Sequence, residues 1–289
     1  CRWHNLAAHT TKQCTTATHT VTTDDVATGN FTPTSTWAAT RDREGKNVIA
    51  GDITASLAPI SVADGTRPPE PDPLEKVRLA SPGDSGFTCH RIPALTTTTN
   101  GWILAAWDGR PDNCQDAPQA NSIIYRISKD GGKSWTPVKT AIAGTPGANK
   151  VGYSDPSFVV DRTTGTIFLF SVKSYDAGLF KSQLGTDPSA RNILHAHVIE
   201  SHDNGETWVN PRTITDQVTA GHESEWFTRF ASSGEGIQLR YGAHAGRLIQ
   251  QYAVANTGTT SLMAVSVYSD DHGATWKPGA PTEGSADEN

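Results

Sequence analysis

One eight-residue pattern occurs three times in this chain and constrains its fold more than any other feature. Each copy reads Ser-x-Asp-x-Gly-x-x-Trp, and the successive tryptophans lie 73 and 68 residues apart. A repeat with a period of this order indicates a propeller or a solenoid built from similar units. The repeated positions are Ser128, Asp130, Gly132 and Trp135, then Ser201, Asp203, Gly205 and Trp208, and finally Ser269, Asp271, Gly273 and Trp276.

The pattern also predicts the structure of each unit. Each copy follows an apolar, strand-like run, namely SIIYRI, ILHAHVIE and LMAVSVY. We interpret the copy itself as a hairpin turn in which Ser and Asp bond the turn backbone, Gly takes a positive φ and Trp packs beneath. Two further hairpins are predicted at SFVV-DRTTG-TIFLFSV and GIQLRY-GAHAG-RLIQQYAVA. No segment has a sustained helical period, so we expect an all-β chain.

This repeated unit resembles the Asp box of sialidases and other Asp-box propellers. The resemblance implies a six-bladed β-propeller, and residues 76–289 correspond to about its first three to four blades. The same aspartate cannot be catalytic three times over, so we interpret the box aspartates as structural. We expect the chain to be an interior fragment of a longer enzyme that neither closes its propeller nor turns over a sialoside alone.

Two segments precede the propeller. Residues 1–63 are rich in Thr and Ala and resemble the repeat β-sandwich modules of bacterial surface proteins. A complete immunoglobulin-like sandwich needs about 100 residues, so we expect part of a module that serves as a spacer. Residues 64–75 include four prolines within six positions, which predicts an extended linker; a proline-rich ligand for a partner domain is the minor alternative.

Charge and cysteine content limit the compartment and the partners. The net charge of −6 argues against nucleic acid or an anionic membrane as partner, and no apolar run reaches the ~18 residues of a spanning helix. The pairs Cys1 with Cys14 and Cys89 with Cys114 favour two disulfides over a metal site, since no CxxC spacing occurs. Four free thiols are the alternative. Disulfides indicate a secreted or cell-surface protein.

Two arginines match the sialidase resemblance. The run Cys-His-Arg-Ile-Pro-Ala-Leu at 89–95 resembles the (F/Y)RIP motif that opens the sialidase catalytic domain. Arg91 then matches the first of three arginines that bind the sialic acid carboxylate, for which a guanidinium offers a fixed, charged fork. A surface salt bridge is the alternative role. Arg110 matches a family arginine that helps to hold the polar substituents of the sugar.

Three acidic residues complete the expected site. Asp116, in a run that resembles the family's xDAP segment, matches the general acid/base on a mobile loop. Asp108 is the rival acid, which we interpret as structural because we place it in a strand-ending turn. Asp155 lies in an SDPS segment like that of the family, where the aspartate contacts the N-acyl side of the sugar; a turn aspartate is the alternative. Glu235 matches a pocket-wall position without a role in proton transfer.

The last residues match a proton acceptor. Glu288, with Asp287 as fallback, corresponds to the family glutamate that takes the proton from a tyrosine nucleophile, while a frayed acidic tail is the alternative. A neutral phenol avoids the repulsion that a carboxylate nucleophile would meet at the carboxylate-bearing anomeric carbon. None of the six tyrosines, Tyr125, Tyr153, Tyr175, Tyr241, Tyr252 and Tyr268, stands in the context of the nucleophile. We expect the nucleophile and two further arginines outside this chain.

The resemblance implies an exo-α-sialidase that removes terminal α-linked sialic acids from glycoproteins, glycolipids and oligosaccharides by a retaining mechanism. It implies no cofactor, and we expect a monomer that acts on sialylated glycans. A trans-sialidase shares these residues, whereas a non-catalytic glycan-binding propeller would not need Arg91, Asp116 and Asp155 together. His195 and His197 share one strand face, but no third metal ligand is evident, so no metal site is predicted.

Overall fold

The computed structural model describes residues 76–286 without a break and, before them, residues 20, 22, 30–31, 34–40, 48–56 and 60–61. The chain divides into two compact units, residues 1–77 and 78–289. The described part of the first unit contains β1 (Asn30–Phe31), β2 (Thr34–Thr40), β3 (Val48–Ser56) and β4 (Ile60–Ser61). Strand β1 pairs with β4 and β2 pairs with β3, both antiparallel. The predicted linker at 64–75 and the Cys1–Cys14 disulfide lie outside the described residues.

The second unit contains three antiparallel sheets, each with four strands that follow one another along the chain. The first sheet has the order β5-β6-β7-β8. Strands β6 and β7 are almost wholly buried, and most of their residues are apolar. The bounds are β5 (Cys89–Thr97), β6 (Ile103–Arg110), β7 (Ser122–Ser128) and β8 (Lys139–Ile142).

The second and third sheets repeat this arrangement with short additions. The second sheet consists of β9 (Gly152–Val160), β10 (Ile167–Ser174), β11 (His195–Ser201) and β12 (Val209–Thr213). The third consists of β13 (Trp226–Ala231), β16 (Leu248–Asn256), β17 (Met263–Ser269) and β18 (Lys277–Pro281). Strand β14 (Gly234–Glu235) joins β9 in parallel, and β15 (Ile237–Gln238) pairs with β16. A five-residue helix, α1 (Thr215–Thr219), follows β12.

The repeated turns connect the third and fourth strands of each sheet, and the strands predicted before them are confirmed as β7, β11 and β17. In the first copy the Ser128 hydroxyl donates to Asp130 Oδ1 at 2.9 Å, and the Gly132 N–H donates to Ser128 Oγ at 2.8 Å. Asp130 also accepts two hydrogen bonds from Ser134. The second and third copies form the same network.

Two of the three repeat tryptophans pack on the sheet that precedes their own. Trp276 is fully buried and meets Phe168 and Phe170 edge-on, with ring centroids 5.7 and 4.8 Å apart. Since both phenylalanines belong to β10, this tryptophan packs on the preceding sheet. Trp208 likewise contacts Tyr125 of the first sheet. The second and third repeats therefore join neighbouring sheets as well as closing their own hairpins.

The predicted all-β class is confirmed. The β9–β10 hairpin forms as predicted, and the second predicted hairpin forms only a short pairing of β15 with β16, whose longer pairings are with β13 and β17. The three described sheets do not close into a ring, so the number of six blades stays a prediction. No helix in the described part of the chain is long and apolar enough to span a membrane.

Candidate active site

A cavity of about 170 Å³ lies where the first strands of the three sheets meet. It brings together three residues singled out in the sequence, Arg91, Asp116 and Asp155, which are scattered over 65 positions. The rest of its lining is mainly apolar and comes from all three sheets and their connections. The complete lining is Arg91, Ile92, Asp116, Ala117, Asp155, Val172, Leu179, Leu194 and Phe230.

Two of the lining strands bulge at the cavity. The pairing of β5 with β6 shifts between Arg91 and Ala94, and Ile92 within this bulge has a φ of 56°. The pairing of β9 with β10 shifts opposite Asp155, which has a φ of 59°. A β-branched residue at positive φ is strained, and such strain concentrates at functional sites. Because bulges re-aim side chains, these two explain how strand residues come to line the cavity.

Arg91 is held at the cavity edge by the loop that carries Asp116. Its Nη1 donates to the Cys114 carbonyl oxygen and to Asp116 Oδ1, both at 3.0 Å. The Arg91 side chain is 42% exposed and that of Asp116 is 74% exposed. The alternative interpretation of Arg91, a surface salt bridge, therefore describes a contact between two residues of the candidate site. Both charged groups remain accessible to a ligand.

Arg110 lies behind the cavity wall rather than on it. Its side chain is only 1% exposed, and its Nη1 donates to the Cys114 carbonyl and to Asp116 Oδ1 at 2.8 and 2.9 Å. Burial works against the charge, but Asp108 and Asp116 offset it and raise the pKa of Arg110 above its ordinary value. Arg110 therefore contacts Asp116 and does not itself line the cavity.

Asp108 differs from its predicted position in a strand-ending turn. It lies within β6 opposite Arg91 and is completely buried. Its Oδ2 accepts hydrogen bonds from Arg110 Nε and Nη2 at 3.1 and 2.8 Å, and its Oδ1 accepts the Asp155 N–H at 2.9 Å. Burial and the nearby charge of Asp155 raise the pKa of Asp108, which Arg110 counteracts. Asp108 thus connects Arg110 to Asp155.

The sequence contained a signal for this role. Asp108 and Arg110 stand two residues apart in a strand, so their side chains share one face. A buried carboxylate needs a partner, and Arg110 supplies one two positions away. The apolar part of the lining had no such signal, because Val172, Leu179 and Leu194 come from β10 and the long connection to β11.

The other singled-out residues lie elsewhere. Glu235 accepts a hydrogen bond from Thr96 Oγ1 at 2.6 Å and does not line the cavity. His195 and His197 are buried, and burial lowers the pKa of His197 to about 3. Within the described residues no group of three potential ligands could hold a metal ion. Asp287 and Glu288 lie outside the described residues.

Cys89 and Cys114 form a disulfide, with their Cα atoms 5.3 Å apart. Cys89 starts β5, and Cys114 lies in the connection between β6 and β7. Arg91 and Asp116 each follow one of the two cysteines by two residues. The bond therefore joins the two chain segments that supply the charged side of the cavity.

Comparison with known proteins identifies the family of the chain. The sequence model of the BNR repeat-like domain matches residues 101–289. A sialidase of Micromonospora viridifaciens is 49% identical over 243 residues, which cover 83% of this chain and 37% of that protein. A sialidase of Bacteroides fragilis is 28% identical over 204 residues, covering 68% of this chain and 36% of that protein. The chain thus spans little more than a third of the length of these curated relatives.

Solved structures show the same fold. The Hadza microbial sialidase Hz136 superposes with a TM-score of 0.63 at 28% identity, over 70% of this chain and 39% of that one. The intramolecular trans-sialidase of Ruminococcus gnavus has a TM-score of 0.58 at 18% identity, over 71% and 62% of the two chains, which is a likeness of fold alone. These neighbours assign the three sheets to a β-propeller. With well over half of its residues matched, the chain belongs to the BNR repeat-like domain family and is a homologue of bacterial sialidases.

Proposed function

We propose that this chain is part of an exo-α-sialidase that hydrolyses terminal α-linked sialic acids of glycoproteins, glycolipids and oligosaccharides. The observation that carries the proposal is the convergence of Arg91, Asp116 and Asp155 on one cavity. The homologue at 49% identity is named a sialidase, which supports the same activity. A net charge of −6 is compatible with an anionic sugar, because recognition would depend on local guanidinium groups.

Arg91 would bind the carboxylate of the sugar. A guanidinium presents several N–H donors in a plane that matches a carboxylate, and Arg91 is exposed at the cavity edge. Without a ligand, its Nη1 is shared between the Cys114 carbonyl and Asp116. A bound carboxylate would replace Asp116 as the acceptor of the Arg91 hydrogen bond. The Asp116 side chain could then turn towards the glycosidic oxygen.

Asp116 would act first as the general acid and then as the general base. A general acid must reach the leaving oxygen, and Asp116 is mainly exposed on a connection beside the cavity. Asp155 would accept the amide N–H of the N-acyl group. The apolar residues Val172, Leu194 and Phe230 on the same cavity would then pack against the methyl group of that substituent.

The nucleophile of the proposed retaining mechanism is a tyrosine, with Glu288 as its base. A nucleophilic tyrosine needs an adjacent base because its reference pKa is about 10. Burial raises the pKa of Tyr125 to about 12 and also raises that of Tyr153 and Tyr252, which is the opposite of activation. Within the described residues no tyrosine lines the cavity. We therefore infer that the nucleophile is a tyrosine other than Tyr125, Tyr153 and Tyr252.

An extracellular location is part of the proposal. Disulfides persist in oxidising compartments and are rare in a reducing cytosol. The Cys89–Cys114 bond lies at the candidate site, so its reduction would disturb that site. Sialylated glycans are exposed on cell surfaces and secreted proteins, so the substrate class fits the same compartment.

The test is the release of sialic acid from 3′-sialyllactose by the product of the complete gene, followed by NMR so that the first-formed anomer is seen. We expect the α-anomer to form first, since a retaining mechanism preserves configuration. Added lactose distinguishes a trans-sialidase, which would transfer the sugar to it. Binding of sialic acid without release would instead indicate a non-catalytic propeller. The absence of both binding and release would contradict the proposal.

A further inference from the structure

The Cys89–Cys114 disulfide closes a short ring around the start of the connection that carries Asp116. Cys89 of β5 pairs with Arg110 of β6, and only three residues separate Arg110 from Cys114. The β5–β6 pairing fixes the Arg110 end of this stretch, and the disulfide fixes the Cys114 end. A stretch this short that is fixed at both ends has few conformations left. The position of Cys114 is therefore set by β5 and β6.

The Cys114 carbonyl oxygen lies between two guanidinium groups. It accepts hydrogen bonds from Arg91 Nη1 at 3.0 Å and from Arg110 Nη1 at 2.8 Å. The same two nitrogens donate to Asp116 Oδ1 at 3.0 and 2.9 Å. Because one pair of donors holds both the carbonyl and the carboxylate, fixing Cys114 also fixes where Asp116 can be held.

Packing does little to hold this segment. Residues 112–116 are all exposed, so no apolar burial anchors them. Their polar contacts are the two arginines and a local bond from the Gln115 N–H to Asn113 Oδ1. The nearest further anchors are Thr88 Oγ1, which donates to the Pro111 carbonyl at 2.6 Å, and Lys150 Nζ, which donates to the Pro118 carbonyl at 2.9 Å. Exposed segments with few buried contacts open readily, which leaves the disulfide as the covalent restraint on Asp116.

We propose that the Cys89–Cys114 disulfide is a positioning element for the acid: it keeps Asp116 beside Arg91 at the cavity, and its loss lets the segment 112–116 move away. The part that concerns catalysis rests on the proposed function. Cys89 is buried but Cys114 is exposed, so a dithiol in solution can attack the bond and convert it to two thiols, while the dithiol becomes oxidised. A reduced protein would keep its sheets and lose the ordered acid.

The first experiment measures the segment itself and needs no turnover. Backbone ¹⁵N relaxation is measured in the wild-type chain and in the Cys89→Ser/Cys114→Ser variant, with β16 as an internal reference far from the bond. We expect the order parameters of residues 112–116 to fall below about 0.6, the range of flexible backbone, in the variant, while those of β16 are unchanged. Equal order parameters of residues 112–116 in the two proteins would overturn the proposal.

The second experiment uses the product of the complete gene and separates positioning of the acid from general stability. It compares hydrolysis of 3′-sialyllactose, whose leaving group is poor and needs acid assistance, with hydrolysis of an aryl sialoside, whose leaving group needs little. For the double serine variant we expect kcat/KM to fall at least about tenfold on the first substrate and less than about threefold on the second. An equal fall on both substrates would indicate a merely structural bond and would overturn the proposal.

A reductant provides the matched control. Dithiothreitol should give the wild-type protein the same substrate-dependent loss, whereas the double serine variant, which retains Cys1 and Cys14, should not respond. A variant that responds as strongly as the wild-type protein would contradict an effect through Cys89 and Cys114. If the segment loosens as expected but neither protein releases sialic acid, the positioning role stands and the proposed function fails.

Discussion

Aspartates occupy the two ends of these sheets in different ways. At one end, where β7, β11 and β17 stop, Asp130, Asp203 and Asp271 sit in nearly identical turns. Partial burial of Asp203 and Asp271 works against their charge, but hydrogen bonds donated by Ser or Thr outweigh it and hold the pKa values of all three below the ordinary range. At the other end, around the cavity, Asp108 is buried and its pKa is raised. The repeated turn needs the same hydrogen bonds in every sheet, whereas the aspartates around the cavity differ from one another in burial and in hydrogen bonding.

The largest effect is expected from Asp108→Ala. The change leaves Arg110 Nε and Nη2 without the carboxylate that accepts their hydrogen bonds inside the core, and removing one partner of a buried ion pair costs about 3–5 kcal/mol. The matched variant Asp130→Ala alters an exposed turn, where water replaces the lost hydrogen bonds, so we expect a much smaller loss. Urea unfolding measures both. Similar losses in the two variants would mean that the cavity aspartate is no more structural than a turn aspartate.

Second in size is the effect of an added methyl group in the repeated turns. Gly132 and Gly273 have φ values of 90° and 83°, so alanine is strained equally in both. A Cβ at Gly273 would lie 2.1 Å from the Phe168 ring, whereas at Gly132 the nearest atom is 4.0 Å away. We expect Gly273→Ala to lower the free energy of unfolding by about 2–4 kcal/mol and Gly132→Ala by about 1 kcal/mol.

Gly205 provides an internal check on that pair. A Cβ there would meet the Leu104 side chain at 2.3 Å, and a leucine can rotate where a phenylalanine ring cannot. Gly205→Ala should therefore fall between the other two in urea unfolding. Equal losses at all three glycines would show that backbone strain alone decides the cost, and that the second and third turns do not pack on the preceding sheet.

The pH dependence of stability should have opposite signs at the two ends. The turn aspartates have lowered pKa values in the folded state, so their contribution is present above about pH 4, the unfolded value, and is lost as the pH falls through the folded value, about 2 for Asp130. Asp108 has a raised pKa, so its folded state binds the proton more tightly and stability falls as the pH rises above about 4.

These slopes are measured by urea unfolding between about pH 2 and pH 7. Asp271→Asn should flatten the acid limb, whereas Asp108→Asn should remove the loss on the neutral side. If a variant leaves its part of the pH profile of unfolding free energy unchanged, another group causes that slope. The acid limb is the smaller effect, because the turn aspartates are near the surface and water screens them.

The smallest effect is expected at the charge contacts between the first two turns. Glu206 of the second turn pairs with Lys129 of the first and with Lys139 of β8. Such partly exposed pairs contribute about 0.2–1 kcal/mol and weaken in salt. Glu206→Gln should cost about 0.5 kcal/mol at low salt and less at high salt in urea unfolding. A loss above about 2 kcal/mol would mean that charge, not packing, joins these sheets.

The comparison also explains what the sequence could predict. The turns were predictable because their hydrogen bonds join residues four or fewer apart, which a local pattern records. The charged side of the cavity was predictable only through short motifs around Arg91, Asp116 and Asp155. The position of Arg110 behind the cavity wall and the apolar wall at Leu194 and Phe230 depend on how the sheets pack, and no local pattern records that.

The central claim, that Arg91 is a carboxylate-binding residue of a sialic acid site, is tested most directly by calorimetric titration. The ligand is the unsaturated analogue 2,3-dehydro-N-acetylneuraminic acid, titrated into the wild-type protein, Arg91→Ala and the control Arg240→Ala, an exposed arginine away from the cavity. A charged hydrogen bond contributes about 1.5–3 kcal/mol, so we predict at least about tenfold weaker binding for Arg91→Ala and no change for Arg240→Ala. Equal affinity of Arg91→Ala and the wild-type protein would contradict the account.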